Sequence, residues 1–241
     1  MSPLPRPRVT VVQHEEHVPL ERLQSWLTDD AGLDLDVRLV SRETVPDLAD
    51  IGDGLLVLGG TMNARDDDRA PWLPAVRALL ADAVEAGVPT FGVCLGHQLL
   101  AEALGGHVSV ADPKGPEHGP VRVTWSDEAA NDPVLGPAAA TGDVVPQMHD
   151  DVVDIPPPGA VVLASSQRHA VQAMRVGSAL SVQFHPEAGP ELMDAWAQNH
   201  GAPAGEMAAL MQPHDDRIAV LGRALAVAWG DVVRARAAGT A

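Results

Sequence analysis

A chain of 241 residues with 46% apolar and 20% charged side chains has the material for a full hydrophobic core. Its formal net charge of −17 disfavours phosphate backbones and anionic membranes, so neither nucleic acid nor a membrane is expected as a partner. No apolar stretch reaches the ~18–20 residues of a membrane-spanning helix, no apolar segment of a secretory signal follows Arg6 and Arg8, and Cys94, the only cysteine, cannot close an internal disulfide, so the expected location is the cytoplasm.

Strand and helix signals alternate from the start. Arg8–Gln13 is a short β-branched run, and Pro19–Thr28 carries Leu20, Leu23 and Leu27 at helical spacing. Leu33–Val40 alternates apolar with polar residues, as a half-buried strand does. Gly54–Leu58 is continuously apolar up to Gly59-Gly60 and predicts a strand buried on both faces. Trp72–Ala86 predicts a helix capped by Gly87, Val88–Val93 a strand, and Gln98–Leu104 part of the following helix. This βαβ rhythm predicts a parallel sheet covered by helices. From His107 the runs shorten: His107–Val110, Val121–Trp125, Ala160–Ala164, Val171–Val176 and Leu180–Phe184, separated by Pro, Gly and Asp clusters. These predict hairpin-like, antiparallel pairing. Ile218, Leu221, Leu225, Trp229 and Val232 mark one face of a final helix, more suited to packing on its own core than to docking. No linker divides the chain, so residues 1–241 are expected to form one domain, with a core at about 8–200 and helices at 201–238.

Cys94 stands in Gly92-Val93-Cys94-Leu95-Gly96, a glycine-bracketed position where a strand meets a helix. A sharp turn there projects the side chain from the end of the sheet, and a Cβ on either glycine would strike a neighbouring element. The helix beginning after the thiol offers unpaired N–H groups and the positive end of a dipole, which favour a thiolate. A lone cysteine can equally be a buried filler; the glycine bracket at a strand–helix junction favours a nucleophile. Its base is sought in Val182–Glu187 (VQFHPE), where His185 follows an apolar strand and Pro186 turns the chain. Glu187 can then reach back to one imidazole nitrogen and hold the tautomer that presents the other to the thiol.

GVCLGHQ and QFHPE, in the order Cys…His-x-Glu, together resemble the motifs of the class I (triad-type) glutamine amidotransferases. From about Arg8 to His200 the chain is similar to the stand-alone proteins related to the glutaminase domain of GMP synthase. The resemblance implies a three-layer flavodoxin-like α/β sandwich, with a mostly parallel central sheet, a smaller antiparallel portion and a C-terminal helical extension. It implies Cys94 as nucleophile, His185 as general base and acid, and Glu187 as its orienting partner. The backbone N–H groups of Gly60 and Leu95 would form the oxyanion hole, and Gln98 would contact substrate. Gln147–Asp151 would be the loop whose backbone, at Met148, His149 and Asp150, receives the amino-acid head of glutamine. Asp66-Asp67-Asp68 followed by Pro71-Trp72 is similar to an acidic-then-helix segment of the subgroup. The family often has Gly-Gly-Pro at the oxyanion loop where this chain has Gly-Gly-Thr61, which predicts a less rigid loop, and a glycine is common where Asp150 stands. No cofactor and no metal are implied. Ammonia would pass to an unidentified acceptor or a separate synthetase subunit, for the chain has no phosphate-binding G-x-x-x-x-G-K-[ST] signature of its own.

Two other readings stay open. A γ-glutamyl hydrolase would share fold and H-P-E motif, although such enzymes usually place Arg after the nucleophile, where Leu95 stands. A non-catalytic binding protein on the same fold would release no ammonia from glutamine. His14-Glu15-Glu16-His17 is one residue short of H-E-x-x-H and follows a strand, so a polar loop is expected there and not a zinc site. Oligomeric state is left open.

Overall fold

The computed structural model describes residues 6–239. The first half runs β1 (Arg8–Gln13), α1 (Arg22–Ser25, continued by a π-helical turn at Trp26–Asp30), β2 (Asp34–Leu39), β3 (Gly54–Val57), α2 (Leu73–Glu85), β4 (Thr90–Val93) and α3 (Leu95–Ala103). The second half continues with β5 (His107–Ser109), β6 (Glu117–Trp125), α4 (Leu135–Ala139), β7 (Val144–His149), β8 (Val152–Ile155), β9 (Val161–Ser166), β10 (Ala173–Val176) and β11 (Ala179–Val182), then α5 (Pro190–Asn199), α6 (Glu206–Met211) and α7 (Asp215–Ala237).

Nine strands form one sheet in the order β2-β1-β3-β4-β11-β10-β9-β6-β7. The five from β2 to β11 are parallel; from β11 onward each neighbour is antiparallel. β5 and β8 make a separate two-stranded antiparallel sheet. Side-chain alternation on β3 sorts the core into two layers. Leu56 and Leu58 join Leu23, Leu27, Phe91, Leu225 and Trp229 under α1 and α7, whereas Leu55 and Val57 join Leu73, Val76, Leu80, Leu99 and Leu100 under α2 and α3. Helices on both faces of the sheet make the three-layer α/β sandwich expected from the sequence.

Local chemistry explains where the elements stop. Gly87 adopts φ 66°, its N–H donates to Val84 O at 3.0 Å and Val88 N–H donates to Ala83 O at 2.8 Å, a Schellman end for α2. β10 and β11 pair with Val176 opposite Ala179, leaving a two-residue turn at Gly177-Ser178 with Gly177 at φ 54°. On α7, Ile218, Leu221, Leu225 and Trp229 are all buried and Val232 is half-buried, so the apolar stripe packs against the protein's own core. Among the described residues no helix is long and apolar enough to cross a membrane.

The resemblance implies a loop at residues 147–151, whereas Gln147, Met148 and His149 end strand β7, paired with Gly119, His118 and Glu117 of β6. Pro146 hides this strand in the sequence because it lacks a ladder donor; β7 tolerates it as the last strand of the sheet.

Candidate active site

Three parallel strands end side by side, and each delivers one part of the site at its carboxyl end, where open α/β sheets place their ligands. After β3 come Gly59-Gly60, after β4 comes Cys94, and beyond β11 comes His185. Cys94 has φ 50° and ψ −103° and is the residue before the first turn of α3. A non-glycine residue at positive φ is strained, which is what a sharp strand-to-helix elbow demands. The bracketing glycines are sterically required. A Cβ on Gly92 would lie 2.8 Å from Gly96 O, and one on Gly96 would lie 2.2 Å from Val57 O. Leu95 opens α3, so its N–H belongs to the first turn, where helix geometry supplies no acceptor.

His185 is buried at 3% exposure, and its Nδ1 lies 2.7 Å from Glu187 Oε1. Because the carboxylate only accepts, Nδ1 carries a proton; the other ring nitrogen is left for Cys94, which lines the same cleft. Burial pulls the His185 pKa down, but the Glu187 carboxylate and the Cys94 sulfur outweigh it, and the value is pushed up to about 10. The His185 ring also sits against Trp196, centroids 4.7 Å apart, and Trp196 is itself fixed by donating Nε1–H to His17 O at 2.8 Å.

A cleft of about 280 Å³ opens over these groups, lined by Gly60, Cys94, Gln98 and His185 on its floor and by Met148, His149 and Asp150 on one wall. That is close to the lower end of small-molecule pockets, about 300 Å³. Glu187 is fully buried behind His185, and Leu95 is 1% exposed, its side chain packed toward Gly60. The residues singled out from the sequence therefore meet in one place: seven line the cleft, while Glu187 and Leu95 stand directly behind it.

Several groups the sequence reading did not single out also converge. Gln98 donates Nε2–H to Asp151 O at 2.9 Å and to Gln183 Oε1 at 3.3 Å, and Gln183 Nε2 in turn points at Cys94 Sγ, 3.6 Å away. Gln183 precedes His185 by two positions at a strand end, and this same-face spacing was the available signal. Below the cleft wall, His149 Nε2 lies 3.5 Å from Glu117 Oε2, and Gln172 Nε2 donates to the same oxygen at 2.7 Å. Burial lowers the His149 pKa even with Glu117 beside it. Asn63, Asp66, Arg69, His118 and His200 are among the other residues lining the cleft. His118 comes from β6, whereas the placement of Asn63, Asp66, Arg69 and His200 depends on loop and turn paths that no periodicity encodes.

Comparison with known proteins agrees with this geometry. Residues 29–200 match the family model described as glutamine amidotransferase class-I. The chain is 36% identical over 160 residues to a glutamine-hydrolyzing GMP synthase subunit of Methanosarcina barkeri, covering 64% of this chain and 76% of that protein. It is 43% identical over 101 residues to the corresponding subunit of Sulfurisphaera tokodaii and 37% identical over 134 residues to the GMP synthase of Thermomicrobium roseum. Those two alignments cover 50% and 23% of the relatives' lengths, respectively. The crystal structure of a glutamine amidotransferase from Methylobacillus flagellatus superposes with a TM-score of 0.76 at 29% identity, over 98% of this chain and 96% of that one. One from Thermotoga maritima, 23% identical over 94% of this chain and 97% of that one, shares the fold at a TM-score of 0.79. With the family model matching more than half its length, the chain belongs to the class-I glutamine amidotransferases.

Proposed function

We propose that this protein hydrolyses the side-chain amide of glutamine through a triad of Cys94, His185 and Glu187. The observation that carries the reading is the meeting of a sulfur held at φ 50° with an imidazole pinned 2.7 Å from a buried carboxylate. Both open onto a cleft sized for a small substrate. In this reading the amino-acid head of glutamine rests against Gln98 and the Met148–Asp150 wall, which brings its amide carbon over the sulfur.

The thiolate attacks that carbon, a C–S bond forms, and the carbonyl electron pair moves onto oxygen. The N–H groups of Gly60 and Leu95 face this charge; such donors contribute on the order of 3 kcal/mol each. As the C–N bond breaks, the His185 imidazolium gives its proton to the departing nitrogen and ammonia leaves, with a γ-glutamyl thioester remaining on Cys94. Water then attacks the thioester, His185 takes a proton from it, and the C–S bond breaks to restore thiolate and imidazolium. The new carboxylic acid ionises as glutamate leaves. Glu187 does not change protonation; it holds the ring tautomer and stabilises the imidazolium. The ammonia passes to an acceptor on a separate synthetase subunit. Relatives named as one subunit of a glutamine-hydrolyzing GMP synthase support this last step.

Steady-state ammonia release from glutamine tests this directly. Cys94→Ala should lower the rate by at least ~10³-fold while the far-ultraviolet circular dichroism stays that of the wild type. Undiminished release by a folded Cys94→Ala protein removes the nucleophile from the scheme.

A further inference from the structure

Gly59-Gly60 is the least restrained dipeptide a chain can offer, yet it must present one N–H at a fixed place. A side chain on either glycine would have to displace a neighbour. A Cβ on Gly59 would sit 2.9 Å from His185 Cε1, and one on Gly60 would sit 2.7 Å from Met62 Sδ and 2.8 Å from Leu95 Cδ2. Order has to come from the flanks. On one side Leu58 N–H donates to Val12 O at 3.0 Å. On the other, Thr61 N–H donates to Glu15 Oε2 at 2.8 Å, and Thr61 Oγ1 lies 2.9 and 2.8 Å from the two oxygens of the same carboxylate.

Both anchors belong to β1 and the turn after it. The backbone of that turn is itself tied down, because Glu15 O accepts Gln13 Nε2–H at 2.9 Å and Val18 N–H at 3.2 Å. His14, fully buried, accepts the Trp72 indole N–H at 3.1 Å and packs beneath Gly60. The His14–His17 segment is thus a brace: His14 under the loop, Glu15 across its end, and His17 O on the Trp196 that backs His185.

We infer that Glu15 is a positioning residue, whose carboxylate fixes the Gly60–Thr61 peptide and thereby keeps the oxyanion loop formed before substrate arrives. The inference rests on the hydrolysis proposed above. Glu15 is not among the described residues lining the cleft, so it acts through Thr61 and not on substrate. A proline after the glycines would stiffen the loop through its own ring but could donate neither bond. Threonine supplies an N–H and a hydroxyl, and Glu15 receives both. Loss of the brace should act on the step in which charge develops, because misplacing a donor by about 1 Å costs on the order of 10²-fold in rate.

The experiment measures kcat, KM for glutamine, thermal midpoint and hydrogen exchange at the Thr61 amide in the full chain and three variants. Glu15→Ala should lower kcat by ~10–100-fold, leave KM within about 2-fold, and speed exchange at Thr61. Glu15→Gln, whose amide can accept from the N–H and donate to Oγ1, should restore most of kcat. The double variant Glu15→Ala/Thr61→Val should be no slower than Glu15→Ala alone. Wild-type kcat in Glu15→Ala overturns the inference, as does a loss that tracks the thermal midpoint and is not recovered by glutamine at position 15. If the wild-type protein releases no ammonia, the hydrolysis itself fails, and exchange at Thr61 unaltered by Glu15→Ala then contradicts the brace independently.

Discussion

Three buried histidines rest in opposite protonation states at neutral pH because their surroundings differ. His185 keeps its proton through neutral pH because Glu187 and Cys94 flank it, whereas His14 and His97 are held neutral by burial alone or with a histidine neighbour. Desolvation takes the pKa of His14 to about 4, and desolvation with the charge of His149 nearby takes that of His97 to about 3, from an ordinary value of 6.5. Each accepts or shares one hydrogen bond, His14 Nδ1 from Trp72 and His97 Nδ1 with Ser181 Oγ at 2.8 Å. A depressed histidine pKa means that the unfolded chain binds the proton first. The stability contributed is present above about 6.5 and is lost as pH falls toward the folded-state values. At pH 5 each of the two should have withdrawn on the order of 2 kcal/mol. His185 runs the other way: its stabilisation is complete below 6.5 and disappears as pH rises through about 10. Urea unfolding at pH 7 and pH 5 should therefore show a lower free energy at pH 5, with a shallower dependence in His97→Gln. Equal stability at the two pH values would mean that these rings are not buried neutral.

At the level of elements, the site depends on how closely α3 approaches the sheet. Gly96 lets the first turn of the helix lie against Val57 of β3, and Gly92 lets β4 pass beneath the same turn. Gly96→Ala would drive a methyl group into a backbone carbonyl at 2.2 Å. Overpacking costs typically about 1–3 kcal/mol and more where backbone must move, so a loss of at least ~3 kcal/mol is expected in chemical denaturation. Gly142→Ala, with nothing within 4 Å of its new carbon, is the control and should be nearly neutral. A stability for Gly96→Ala equal to that control would remove the steric account of the elbow.

These same elements show what a sequence reveals. Gly54–Val57 and the Gly92–Gly96 bracket were legible because continuous apolar runs and paired glycines are local signals. β7 was not, because Pro146 interrupts its pattern, and α4 was not, because Gly136 and Pro137 leave no helical periodicity in five residues. The brace from Glu15 to Thr61 joins positions 46 apart, and neither end carries a pattern that names the other.

Across the whole molecule, a chain with a net charge of −17 gathers Gly60, Cys94 and His185 at the carboxyl ends of three neighbouring parallel strands. The antiparallel half contributes the far wall through β7, and α5 contributes Trp196. Cys94, His185 and Glu187, which the fold gathers at one strand edge, were singled out from two short motifs. Gln183 beside the sulfur and the cleft-lining Asn63, Asp66 and Arg69 were not, since only the folded loops bring them there. The central claim is that Cys94 forms a bond to the side-chain amide carbon of glutamine during turnover. Its most direct test is the mass of the Cys94 peptide from protein quenched in acid while hydrolysing glutamine. The account predicts a γ-glutamyl group on Cys94, present during turnover and absent once glutamine is exhausted. Continued release of ammonia from a protein whose Cys94 is never acylated, in steady state or in a rapidly quenched first turnover, would contradict it.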